Sequence, residues 1–153
     1  MRESLDNSND ELKRVDHLIF VSLKYTRTVD VIRNTIDRMI NALDFSMEAL
    51  LKYAKEKKKI DSYPNIPGQK AAILERVYSN EAEIVDAVRF YLNLRKVIRA
   101  RYTKREEYRR HVTMIATTES EEVEIDIDRL REYYEKTKNF FKFCENLIEG
   151  VKE

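Results

Sequence analysis

Glycine, proline, cysteine and tryptophan are scarce in this sequence. Its 153 residues include two Gly, two Pro, one Cys and no Trp. Sheet proteins need many turns, and turns use glycine and proline, so this composition favours long helices. Gly68 and Gly150 lie too far apart to form a glycine-rich phosphate loop. The chain has one cysteine, Cys144, and only two histidines, so it cannot build a cysteine-rich zinc site. We expect neither a metal nor a cofactor.

Long apolar runs are also missing. No stretch approaches the roughly 20 uncharged apolar residues of a membrane span. The run at residues 18–23 is short and lacks a cleavage-site pattern, so we predict neither a signal peptide nor membrane attachment. Because a single cysteine cannot form an internal disulfide, a reducing cytoplasmic location is expected. The many Lys, Arg and Glu residues are typical of a thermophile.

Hydrophobic residues make up 42% of the chain and charged residues 37%, which is typical of a globular protein. The length suits one domain over residues 1–153. Apolar residues recur at steps of three and four, which predicts an all-α fold. We expect an up-and-down helical bundle of four to six helices, with a long second helix and a long C-terminal helix.

The first half of the chain predicts four of these helices. A capping-box spacing from Ser8 to Glu11 predicts a first helix over residues 9–25. The long second helix runs from about Thr28 to the lysine-rich run at residues 55–59. Residues 61–68 hold both prolines and predict a loop. A short helix over residues 69–78 follows, and Asn80 is expected to cap a longer one that reaches beyond residue 98.

In the second half of the chain, the helical periodicity of apolar residues is interrupted. Thr103 and Glu106 have capping-box spacing, which predicts a helix over residues 103–116. Acidic and β-branched residues alternate over residues 121–127, so this segment is extended or a loop. Asp128 is expected to cap the last helix. That helix carries a heptad seam, typical of helix pairing, at Leu130, Tyr134, Thr137, Phe141, Cys144, Ile148 and Val151.

Charge is unevenly distributed along the second half. Residues 95–111 contain eight Lys or Arg against two Glu, a net charge of +6. Residues 117–135 contain eight acidic residues against two Arg, a net charge of −6. Either the two segments neutralise each other within the fold or the first one is a basic patch available to a partner.

The basic segment contains one pattern with possible chemistry. Arg105 and His111 are separated by five residues, as in an R-x(4–6)-H motif. Such a motif in the second half of a small helical chain resembles the HEPN superfamily. The resemblance implies a dimeric helical bundle in which the Arg and His of the motif meet across the dimer interface and cleave RNA without a metal ion. Arg105 and His111 would then be the catalytic residues of a homodimer.

These residue types suit that chemistry. Imidazole has an unperturbed pKa of about 6.5 and can accept or donate a proton near neutral pH. A guanidinium group matches phosphate oxygens and can stabilise the phosphorane. At the start of the predicted helix, Arg105 would hold an anion together with the helix N-terminus. Four cations and one tyrosine are candidates for RNA binding: Arg101, Lys104, Tyr108, Arg109 and Arg110.

Two other interpretations stay open. In the first, residues 103–116 form a solvated helix whose arginines pair with acidic residues, with Glu107 and His111 in contact one turn apart. The chain would then be a non-catalytic module that dimerises through its heptad seam or binds a partner protein. A further possibility, also implied by the HEPN resemblance, is an accessory subunit to a nucleotidyltransferase.

Overall fold

The computed structural model describes residues 1–150, and most of these residues are helical. The helices are α1 (Arg2–His17), α2 (Leu23–Tyr25), α3 (Val29–Glu56), α4 (Pro67–Val77), α5 (Ala82–Arg99) and α6 (Ile127–Glu149). A π-helical turn, Leu18–Ser22, joins α1 to α2. Three strands lie between α5 and α6: β1 (Arg101–Arg105), β2 (Thr113–Thr117) and β3 (Glu122–Ile125). The predicted all-α bundle is confirmed only in part, because the fold is mostly helical but also contains a small three-stranded antiparallel sheet.

The long second helix of the prediction is α3, and it lies at the centre of the fold. Its 28 residues span about 42 Å. It packs against α1, α4, α5 and α6, and half of its residues are buried. Thr28 begins it as predicted, because the Thr28 side chain accepts a hydrogen bond from the Val31 amide at 3.3 Å. Its buried residues recur mostly at steps of three and four, so one stripe of apolar side chains forms the core face of this helix.

The predicted start of the first helix is wrong. The helix begins at Arg2, and Ser8 lies in its interior, fully buried. The Ser8 hydroxyl donates to the Ala42 carbonyl oxygen at 2.7 Å and lies 2.8 Å from the Ser46 hydroxyl. Ser8 therefore joins α1 to α3 and caps no helix.

Two other predicted caps are also wrong. Asn80 makes no capping bond in the described chain, where α5 starts at Ala82 after Glu81. The last helix is capped by Asp126, whose Oδ1 accepts from the Arg129 amide at 2.8 Å. Asp128, the predicted cap, lies in the first turn instead. The loop over residues 61–68 and the short helix after it are found close to where they were predicted, with Pro67 in the first turn of α4.

The predicted helix over residues 103–116 is wrong. These residues form an antiparallel hairpin, and β3 extends it to a three-stranded sheet in the order β1-β2-β3. Tyr102, Ala116 and Val123 form one row across the sheet. In the next row Lys104 is paired with Met114, which is paired with Ile125; Met114 and Ile125 are fully buried. Alternation of the side chains buries one face of the sheet against the helices. In the sequence, only residues 121–127 show this period of two clearly.

The predicted heptad seam of α6 lies within the monomer. Its positions Leu130, Tyr134, Thr137, Phe141 and Cys144 are buried, and Ile148 packs against the same core. Val151 lies outside the described residues. Because α6 uses this seam to pack on α3 and α1, a dimer would need another surface. No helix within residues 1–150 is long and apolar enough to cross a membrane.

Candidate functional site: a cleft beside His111

The candidate RNA-binding residues lie on one hairpin and its loop. Arg101 and Lys104 belong to β1, as does the candidate catalytic residue Arg105. Tyr108, Arg109 and Arg110 lie in the loop between β1 and β2, and His111 lies near its end, two residues before β2. All seven side chains are exposed. The segment is thus a surface feature, although it is not the helix that the sequence predicted.

The loop between β1 and β2 is anchored on the start of α3. The Tyr108 amide donates to the Arg27 carbonyl oxygen at 2.6 Å. Glu107 accepts from the Val29 amide at 2.9 Å, at the first residue of α3. A carboxylate is favourable there because the helix dipole places partial positive charge at the N-terminus. The same carboxylate lies 3.4 Å from Lys104 Nζ, and its hydrogen bond raises the pKa of Lys104.

Two residues of this loop have left-handed backbone conformations. Glu106 has φ = 53° and Tyr108 has φ = 66°. Such conformations are unfavourable for residues with a Cβ, and they persist where surrounding contacts fix them. Here the bonds of Glu107 and Tyr108 to the start of α3 are those contacts. The loop shape therefore depends on anchors from a distant part of the chain.

His111 lines a cleft of about 220 Å³. Three arginines from three separate segments share it: Arg27 before α3, Arg110 from the hairpin loop and Arg131 from α6. Asp126, Ile127 and Asp128, at the start of α6, complete the lining. The fold thus brings one histidine and three arginines to the wall of one cleft.

The charges of the cleft are only partly neutralised. Arg131 lies 3.8 Å from Asp128, and Asp126 caps α6. Arg27 Nε is buried and lacks a hydrogen-bond partner within residues 1–150. Arg110 makes no salt bridge to any residue that the structure describes. Arg110 therefore keeps its capacity to bind an anion beside His111, and Arg27, which also lines the cleft, has an unsatisfied buried donor.

Arg105 does not line this cleft. Its guanidinium forms an ion pair of 2.6 Å with Glu124 of β3, and both side chains are about half exposed. Since Arg105 ends a strand, the predicted combination of Arg105 with a helix N-terminus is wrong. Within one chain, the structure does not bring Arg105 and His111 into one cleft.

The interpretation of Glu107 and His111 as neighbours on a helix is also wrong. Glu107 binds Val29 and Lys104, whereas the carbonyl oxygen of His111 accepts from the Thr113 hydroxyl at 2.8 Å. The basic and acidic segments do meet, as one of the two charge interpretations proposed. Arg105 pairs with Glu124, and Arg110 shares a cleft with Asp126.

Sequence reasoning missed Arg27 and Arg131 as cleft residues. They lie 84 and 20 residues from His111, and no local spacing links them to it. Asp126 was detectable in principle, since an acidic residue before a periodic apolar run signals a helix start. Among the described residues, no three His, Cys, Asp or Glu side chains are grouped as metal ligands.

No protein-family model, curated protein or solved structure matches the chain. The functional argument therefore depends on the chemistry of the cleft and of the loop beside it.

Proposed function

We propose that the protein binds RNA through the phosphodiester backbone at the His111 cleft and cleaves it without a metal ion, as the HEPN resemblance implies. One observation carries the proposal: Arg27, Arg110 and Arg131 converge on His111 from three segments of the chain. Guanidinium groups match phosphate oxygens, and an imidazole within the same cleft supplies a group that transfers protons.

The reaction needs no group beyond these side chains. His111 takes the proton from the ribose 2′-OH as the 2′-oxygen bonds to phosphorus. Arg27 and Arg110 stabilise the charge that develops on the phosphorane oxygens. The bond from phosphorus to the 5′-oxygen then breaks, and the imidazolium returns a proton to that oxygen. The products are a 2′,3′-cyclic phosphate and a free 5′-hydroxyl.

The pair of Arg105 and His111 at a homodimer interface is a separate version of this proposal. It requires that Arg105 of one chain leave Glu124 and reach the cleft of a second chain. The exposed positions of both side chains are compatible with that arrangement. In the single chain, Arg27 and Arg110 are the better candidates for holding the phosphate.

The test is cleavage of an unstructured, 5′-labelled RNA by purified protein in EDTA. We expect His111→Ala to lower the rate by about 100-fold or more, the usual range for an acid-base group. The matched control is His17→Ala, which removes the other histidine, exposed on α1, and should leave the rate unchanged. Mass spectrometry should detect the cyclic phosphate. No cleavage by the wild type, or equal cleavage by wild type and His111→Ala, would overturn the proposal.

The second candidate is a non-catalytic module that binds another protein. One such role is that of an accessory subunit to a nucleotidyltransferase. The observation that favours it is the exposure of Phe20 (47%) and Val21 (41%) on the π-helical turn. Exposed apolar side chains side by side are typical of a contact surface for another protein. Two results together would support this candidate instead: the wild type lacks nuclease activity, and a Phe20→Ser variant loses a partner protein that co-purifies with the wild type.

A further inference from the structure

Two tyrosines are far more exposed than the rest of the large apolar side chains. Tyr25 is 79% exposed and Tyr108 is 78% exposed. By contrast, Tyr78, Tyr91, Tyr133 and Tyr134 are buried. An aromatic ring left in water contributes nothing to the core and stays available for contact with a ligand.

Both exposed tyrosines lie beside the cleft arginines. Tyr25 ends α2 and precedes Arg27 by two residues, a distance of at most roughly 7 Å between their Cα atoms. Tyr108 precedes Arg110 by two residues, and its amide is bonded to the carbonyl oxygen of Arg27. Arg27 and Arg110 both line the His111 cleft. Each ring thus accompanies one of the arginines of the cleft.

The backbone of Tyr108 is fixed in a conformation that its own side chain does not favour. Its φ of 66° suits glycine or asparagine better than an aromatic residue. No packing of the ring offsets this, because the ring is mostly in solvent. The backbone bonds to the start of α3 thus hold Tyr108 in a conformation that leaves its ring exposed, two residues from Arg110 of the cleft.

We infer that Tyr25 and Tyr108 form a stacking platform for unpaired bases, so that the ligand of the His111 cleft is single-stranded rather than duplex RNA. The inference rests on the proposed function, in which the cleft holds the phosphodiester backbone. Every base offers a flat face to an aromatic ring, and stacking tolerates any sequence. Bases within a duplex are already stacked on each other and cannot reach a surface tyrosine.

The experiment measures binding by fluorescence anisotropy, with a fluorescein-labelled 12-nucleotide oligoadenylate as the probe. The His111→Ala variant serves as background, so that the probe is not cleaved. Tyr25→Ala and Tyr108→Ala should each raise the Kd by roughly 5- to 150-fold, the range for loss of one stacked base. Tyr25→Phe and Tyr108→Phe keep the rings and should change the Kd by less than about 2-fold.

Two controls separate stacking from general damage. Ile66→Ala removes an exposed apolar side chain from the loop before α4 and should leave the Kd unchanged. A 12-base-pair duplex should bind more weakly, and its Kd should not respond to either alanine substitution. Circular dichroism checks that each variant retains its helices.

Three binding results would contradict the inference. In the first, the double variant Tyr25→Ala, Tyr108→Ala binds the single strand with the same Kd as the His111→Ala background. In the second, the substitutions weaken the binding of single strand and duplex equally. The third is no binding of the single strand at all. If the single strand binds through the tyrosines and the wild type does not cleave RNA, the platform stands and the catalytic proposal fails. If the wild type cleaves and both alanine variants cleave equally fast, only the platform fails.

Discussion

The backbone amide of Tyr108 donates a hydrogen bond to the carbonyl oxygen of Arg27 over 2.6 Å. This bond joins the loop of the β1–β2 hairpin to the segment that leads into α3, 81 residues earlier in the chain. The neighbouring bond from the Val29 amide to Glu107 has the same effect. Together they hold the loop that carries Arg110 against the segment that carries Arg27. The geometry of the cleft therefore depends on this junction.

Removal of the Glu107 carboxylate should weaken the junction. Glu107→Ala leaves the first amide of α3 without its acceptor and should cost about 1 kcal/mol in the free energy of unfolding. Glu107→Gln keeps an acceptor oxygen and loses only the charge, so it should cost less. Urea unfolding followed by circular dichroism measures both. Glu106→Ala, an exposed neighbour, is the control, and an alanine variant at Glu107 as stable as the wild type would contradict the proposed anchoring.

Arg27 and Arg105 should differ in their effect on RNA cleavage. Arg27→Ala removes a cleft guanidinium and should lower the rate by about 100-fold. Arg105→Ala breaks an exposed ion pair with Glu124 and should lower it by less than about 3-fold. The measurement is the initial cleavage rate of the same RNA.

The opposite order of these effects would favour a site shared between two chains. In that case a mixture of Arg105→Ala and His111→Ala proteins should regain activity, because a mixed dimer contains one intact combination of both residues. No regain, with Arg27→Ala inactive, would support the cleft within one chain.

The sequence was sufficient for the helices with strong apolar periodicity. The α3 stripe and the α6 seam contain steps of three and four over many turns, and both helices are found as expected. The caps were less predictable because a Ser or Asp fits several roles. Ser8 has capping-box spacing but pairs with Ser46 in the core, which no local pattern reveals.

The hairpin could not be predicted because its turn lacks the usual residues. The loop between β1 and β2 contains no glycine, proline or asparagine, and Glu106 and Tyr108 adopt its left-handed positions. Contacts with the start of α3 replace the local turn preference. Arg27 could not be predicted as a site residue either, because its place in the cleft follows from tertiary structure alone.

The buried pair of serines between α1 and α3 should respond non-additively to substitution. Ser8→Ala removes a bond to the Ala42 carbonyl and leaves the Ser46 hydroxyl short of a partner, at a cost of about 1–2 kcal/mol. The double variant Ser8→Ala, Ser46→Ala removes both hydroxyls and should cost less than the sum of the single variants. A double-mutant cycle from urea unfolding measures the difference. Strict additivity would show that the two hydroxyls do not interact.

Tyr91 should depend on Asp44 for a partner. The fully buried Tyr91 donates to Asp44 Oδ1 at 2.5 Å, and burial raises the pKa of Asp44. Asp44→Asn keeps an acceptor oxygen and removes a partly desolvated charge, so the free energy of unfolding at neutral pH should be unchanged or higher. Asp44→Ala leaves the hydroxyl unsatisfied and should cost about 1–3 kcal/mol. Equal destabilisation by both variants, measured by thermal unfolding, would contradict this account.

Alkaline pH should destabilise the fold through tyrosines that donate to carboxylates. Tyr63 donates to Glu48 at 2.6 Å and Tyr134 to Asp16 at 3.0 Å. Burial and these carboxylates raise the pKa of Tyr63 to about 12 and that of Tyr134 to about 12. An unfolded tyrosine has a pKa of about 10, so the folded state holds these protons more tightly. The resulting stabilisation is complete below pH of about 10 and is lost as the pH rises towards 12.

The measurement is the Tm between pH 8 and 12, followed by circular dichroism. The double variant Tyr63→Phe, Tyr134→Phe should start from a lower Tm at pH 8, because two hydrogen bonds are gone. Its Tm should then fall less steeply above pH of about 10, since these two groups no longer titrate. Tyr25→Phe changes an exposed tyrosine and should follow the wild-type curve. If the double variant loses Tm as steeply as the wild type, other groups, such as the lysines, cause the alkaline transition and these two hydrogen bonds do not.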